Sequence, residues 1–133
     1  MGAFTNYLEN KILDHLLGRT TYTAPATLYV GLAQSVSDDG TVTGEPSGNG
    51  YQRVAVANNT TNFPNASNGQ KSNANSITFP QATGNWGTIN YVFIADAATG
   101  GNVLFYAQLT TSKAIGEGDT VSFPSGGLTF TLD

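Results

Sequence analysis

His15 is the only histidine of the chain and stands beside Asp14, a pair that in another setting would be a general base and its orienting carboxylate. Both fall in a stretch with helical spacing, where adjacent side chains point about 100° apart and do not face each other. A surface or interfacial histidine follows. Asp38, Asp39 and Glu45 share one glycine-rich stretch, and their oxygens would suit calcium if the loop folded back on itself, but the spacing matches no EF-hand loop. A solvated turn is the simpler expectation, and Glu117 and Asp119 around Gly118 are expected to keep a hairpin tip soluble. The sequence carries no Gly-x-Ser-x-Gly elbow and no Gly-x-x-x-x-Gly-Lys-Ser/Thr phosphate loop. It has no cysteine, which removes disulfides, thiolate metal sites and a cysteine nucleophile. No catalytic residue, cofactor or metal site is expected, and the chain reads as a non-enzyme.

Composition narrows the partners. Charged residues make up 11% of the 133, less than half the usual share of about 25%. With a net charge of -4 and basic residues scattered at Lys11, Arg19, Arg53, Lys71 and Lys113, there is no electrostatic footprint for nucleic acid or an anionic membrane. The opening MGAFTNYLEN lacks a basic region followed by an apolar one, and no run of 18 apolar residues occurs, so a soluble, unexported protein is expected. A myristoylation pattern from Gly2 would require Ser or Thr where Asn6 stands, and is discounted.

The elements that must position these side chains begin with a helix. Phe4, Leu8, Ile12 and Leu16 recur every four positions with Leu13 and Leu17 beside them, predicting a helix over about residues 5–17. Thr5 or Asn6 caps its start, Asn6 with Glu9 resembles a capping box, and Gly18 suits a left-handed C-terminal cap. Strands are then predicted at 27–33, 51–57, 75–79, 88–96, 102–109, 120–123 and 128–132. Between them, 37–50 is dense in turn residues and reads as a hairpin or long loop, and the Asn-rich tract 58–75 reads as a surface excursion. Thr99-Gly-Gly-Asn102 predicts one hairpin, and Ser125-Gly-Gly127 predicts another between the last two strands. The whole reads as a single domain over 1–133, mainly β: an antiparallel β-sandwich, or a jelly-roll-like or flattened barrel, with one N-terminal amphipathic helix.

Aromatic residues are more informative than ionisable ones. Tyr91 and Phe93 alternate with Val92 and Ile94, while Phe105 alternates with Leu104 and Tyr106, so these strands carry large side chains on both faces. Such strands are either central in a layered fold or covered by another subunit, which makes Tyr91 and Tyr106 candidate interface residues. Leu8, Ile12 and Leu16 form a second candidate stripe, closing one end of the sandwich or lying against a partner. Trp86 fits a core or turn position better than a stacking platform for sugar or bases.

Several motifs in order complete the reading: NYLENKILDH, YTAP with LYVGL, GYQR at Gly50 to Arg53, FPQATGNWGT at Phe79 to Thr88, DAATGGN at Asp96 to Asn102, and GDTVSF with GGLTFTL. Together they resemble a family of small tailed-phage virion proteins, often labelled tail fibre proteins, whose relatives look like capsid decoration or cement proteins. The resemblance covers the chain apart from 35–48 and 58–75. It implies a many-copy β-rich subunit on the virion, made in the bacterial host cytoplasm and without catalytic residues. The implied partners are the phage major capsid protein and further copies of the chain, a trimer being favoured. The capsid exterior is the expected location, because a fibre usually has repeats or a coiled-coil stalk; a short tail fibre, baseplate or receptor-binding module is the alternative.

Overall fold

A computed structural model describes residues 3–132. Gly2 and the outermost residues of the expected 1–133 domain lie outside the described residues. The chain runs β1 (Ala3–Phe4), α1 (Asn6–Leu16), β2 (Thr27–Ala33), β3 (Ser35–Val36), β4 (Val42–Thr43), β5 (Val54–Ala57), β6 (Gln70–Ser72), β7 (Ile77–Thr78), β8 (Gly87–Ala95), β9 (Val103–Ile115), β10 (Ser122–Phe123) and β11 (Thr129–Thr131). The fold is mainly β and antiparallel, with one short N-terminal helix. Strands β1, β9, β8, β2 and β5, in that order, make a five-stranded sheet, and β3/β4, β6/β11 and β7/β10 make two-stranded ribbons. No sheet closes into a barrel among the described residues.

Period-two alternation sorts the sheet's side chains onto two faces. Leu28, Val30 and Leu32 of β2, with Val92 and Ile94 of β8, enter the larger core. Ribbons β6/β11 and β7/β10 supply Phe130, Ile77 and Phe123 to that core, and Phe63, Phe79, Trp86 and Leu128 fill it from the connecting segments. The other face carries a thinner cluster of Ala33, Phe93, Ala95 and Val103, which Val36 and Val42 of the β3/β4 hairpin join. In β9 the register opposes Phe105 to Ile94 but Val103 to Ala95, leaving Leu104 as the extra residue of a bulge. That bulge turns both Leu104 and Phe105 into the larger core.

Thr5 is the helix cap. Its hydroxyl accepts the Leu8 N–H at 3.4 Å and donates to the Val103 carbonyl at 2.6 Å, so this fully buried residue ties α1 to β9.

The expected C-terminal hairpin does not form: β10 pairs with β7 and β11 with β6. The cause lies in the Asn-rich tract. Asn73, 3% exposed, accepts the Leu128 N–H on Oδ1 at 2.9 Å and donates Nδ2 to the Pro124 and Asn75 carbonyls at 3.0 and 2.8 Å. Its own carbonyl accepts the Gly126 N–H at 2.8 Å. The 125–127 turn is therefore wrapped around Asn73, which separates β10 from β11. The tract is accordingly more than a surface excursion, since it also contributes β6 and buries Phe63.

Candidate interaction surface

Most polar groups that looked available to chemistry are already engaged. His15 is exposed, and its Nδ1 accepts the Tyr22 N–H at 3.1 Å while the Asp14 carbonyl accepts the Thr20 N–H at 2.9 Å. These bonds fold the connector back along α1. Asp39 accepts from the Ser37 hydroxyl and, at 3.0 Å, from the Thr41 N–H, a local turn that holds its carboxyl below the ordinary aspartate range. Asp119 accepts the Gly116 N–H at 2.8 Å in a similar turn. Among the described residues no group of three or more His, Asp or Glu is placed to hold a metal ion. Trp86 is 5% exposed and donates its indole N–H to the Asn49 carbonyl at 2.8 Å, a core position with no open ring face for a sugar.

Glu45 is the exception to the solvated-loop expectation, because it closes a part-buried polar chain. Strand β5 starts at Val54, so it is too short to pair with Leu32 of β2. The Leu32 N–H is taken instead by the Tyr51 hydroxyl at 3.0 Å, which donates to Glu45 Oε2 at 2.7 Å. Arg53 grips the same carboxylate from Nε at 2.8 Å and Nη2 at 2.9 Å, and its Nη1 donates to the Ala97 and Gly100 carbonyls at 2.7 and 2.9 Å. Its guanidinium lies over the Phe93 ring, 5.0 Å from the centroid. Burial, then the bond to Glu45, pushes the Tyr51 phenol far up; the Glu45 bond pushes the Arg53 guanidinium up as well. The Arg53 side chain is 5% exposed, so this bidentate pair is built into the fold. The chain of bonds has the character of a rivet between the β8–β9 turn and the loop after β4.

The candidate contact residues separate on the structure. Leu8 is 5% exposed and lies inside the larger core, and Ile12 packs half-buried against it. Leu16 projects outward at 67% exposure, flanked by Leu13 at 54% and Leu17 at 75%. The helix thus enters buried at Leu8 and leaves with three leucines in solvent at its C-terminal end. Tyr91 and Tyr106 sit half-buried on the thinner face, their ring centroids 6.5 Å apart. The structure brings these tyrosines together on the smaller cluster, whereas Leu8 and Ile12 of the helix belong to the larger one. Sequence reasoning missed Leu13 and Leu17 as the exposed partners of Leu16. The signal was present, since Leu13 and Leu17 lie beside the Leu8–Ile12–Leu16 row and widen it beyond what one buried stripe accommodates.

The family model described as Podophage GP4 fiber I protein gp80 matches residues 3–131. The chain belongs to this phage fibre protein family. A comparison with curated proteins found no match. Family membership makes the chain a structural protein of a phage virion, in keeping with the ordered motifs that resemble small virion proteins. No helix among the described residues is long and apolar enough to cross a membrane.

Proposed function

We propose that the chain is an adhesive subunit of the virion, seated by non-covalent contact as part of a short fibre. The observation that carries this is the group Leu13, Leu16 and Leu17, at 54%, 67% and 75% exposure on one short, well-anchored helix. Leucines cost solubility when left in water, and a polar, weakly charged surface offers few other anchors. A helix end pinned by Thr5 on one side and by the His15–Tyr22 bond on the other presents them in a fixed arrangement, which limits the entropy lost on docking. The family's description as a fibre protein supports the fibre over the capsid as the location.

Capsid decoration is the second reading. In its favour, the described residues form one β unit with no repeated element of the kind a fibre shaft stacks. A subunit of this shape, binding as a trimer across neighbouring copies of the major capsid protein, would stabilise the lattice simply by binding only its mature form. Cryo-electron microscopy of purified virions separates the two readings. A few copies at the tail are expected; density repeated over the whole capsid lattice would overturn the fibre assignment in favour of decoration.

A further inference from the structure

The five-stranded sheet ends at β5, whose partner on one side is β2 and whose other edge is open. The phase of that edge is set by the Asn58 N–H, which donates to the Ala26 carbonyl at 3.0 Å. With Val56 opposite Leu28 and Val54 opposite Val30, the same phase turns those residues' backbone groups toward β2. Ala55 and Ala57 therefore direct their N–H and C=O groups outward. Ribbon strand β7 is read in the same way. Phe79 N–H donates to the Val121 carbonyl at 2.9 Å and Ile77 faces Phe123, so Thr78 is left with its N–H and C=O pointing away from β10. The 2.8 Å contact between the Thr78 and Ser122 hydroxyls fits that non-hydrogen-bonded pair, in which side chains approach closely.

Both outward edges border the same slot. A groove of about 320 Å³ is lined by Ala55 and Ala57 on one wall and by Asn75, Ser76 and Thr78 on the other. Asn62 donates Nδ2 to the Ala57 carbonyl at 2.8 Å, a side chain answering one outward group. No ionisable side chain lines the groove. The opposite margin of the sheet is different. Beyond the two residues of β9 that β1 covers, β9 carries four residues, Leu109 to Ser112, where β8 has only Asn90, and then the exposed Lys113. Bulges and lysines are the usual protection of an edge against pairing, and Val54-Ala-Val-Ala57 has neither.

From these edges we infer that the β5–β7 slot receives an extended, uncharged segment of another virion polypeptide, which pairs with both walls and completes the layer in trans. The inference rests on the chain being part of a virion. Main-chain pairing supplies the affinity in such strand addition, and the lack of charge on either wall selects an uncharged arm. Reciprocal exchange of β5 between two copies is disfavoured, because each β5 already lies between β2 and its own slot wall.

Amide hydrogen exchange on the purified chain and on intact virions tests this. The Ala55 and Thr78 amides are expected to exchange at least 100-fold more slowly in the virion. Ala55→Pro and Thr78→Pro remove outward N–H groups that the chain's own ladders do not use, and proline is tolerated at such edge positions. Each variant is expected to keep the wild-type circular dichroism and to lower the copies per virion at least tenfold by quantitative mass spectrometry. Unchanged exchange in the virion overturns the inference, and it decides the matter even where a proline variant fails to fold. Wild-type incorporation of both folded variants overturns it as well. Self-association of the purified chain with protection of Ala55 and Thr78 would give the slot to a second copy and overturn the assigned partner. A virion-bound chain with an open slot refutes this inference alone, whereas a virion without the chain refutes the proposed function.

Discussion

The two faces of the central sheet are closed by different means. On one, Leu32, Phe79, Ile89 and Val30 are each at most 2% exposed, and the ribbons cover them with further apolar side chains. On the other, the cover is a small hairpin and one ion pair. Gly31 leaves room for the Phe93 ring, since a Cβ there would collide with it, and the Arg53 guanidinium lies over the ring, leaving Phe93 only 1% exposed. The lesson is that apolar area closes a face when enough of it is available, through a non-directional effect. Where it is scarce, a directional polar chain fixes the cover in one position, and each member depends on the next.

That contrast can be broken from the deep side first. Phe79→Ala is expected to cost about 3–5 kcal/mol by emptying a position the ribbons cannot refill, and a chemical denaturation midpoint would register the loss. On the thin face, Arg53→Ala is expected to cost about 2 kcal/mol, because Glu45 and the two turn carbonyls lose their partner together while Glu45 keeps some access to water; denaturation read alongside amide exchange at Ala97–Gly101 would place the opening there. Tyr51→Phe removes a single oxygen and leaves the Leu32 N–H unanswered, for an expected loss of about 1–2 kcal/mol measured by the same denaturation. The smallest effect on folding is expected outside both faces. Leu16→Ser with Leu17→Ser should change stability by less than about 0.5 kcal/mol, since both are largely in solvent, while the copies counted in purified virions drop several-fold. A large loss of stability from that pair would mean that the helix end is part of the fold and not a contact surface.

Legibility followed how local the deciding interactions are. Strand β2 was readable to the residue, because Thr27 to Ala33 alternate large and small or polar side chains and both ends carry turn signals. The helix was readable within a residue at each end from its apolar period and the Thr5 cap. Strands β1 and β6 went unseen, and the turn-rich 37–50 stretch read as a hairpin or long loop without the bounds of β3 and β4, because strands of two or three residues are too short for alternation to register. In the candidate surface, Leu16 was legible as an outward leucine only together with Leu13 and Leu17. Leu8 on the same stripe went to the core, since the first turn is drawn down by the Thr5 bond to β9.

By itself the sequence determined a mainly β chain with one N-terminal helix, a weakly charged surface and none of the nucleophile or phosphate-loop motifs it was searched for. These properties follow from side-chain type and short-range periodicity. Only the tertiary structure decided that β10 and β11 part company around Asn73, that Glu45 and Arg53 meet in a part-buried pair, and that β5 and β7 turn outward backbone groups toward one slot. Strand pairing and the burial of charge depend on contacts between residues far apart in the chain, and no local pattern encodes which distant partner will satisfy a given donor.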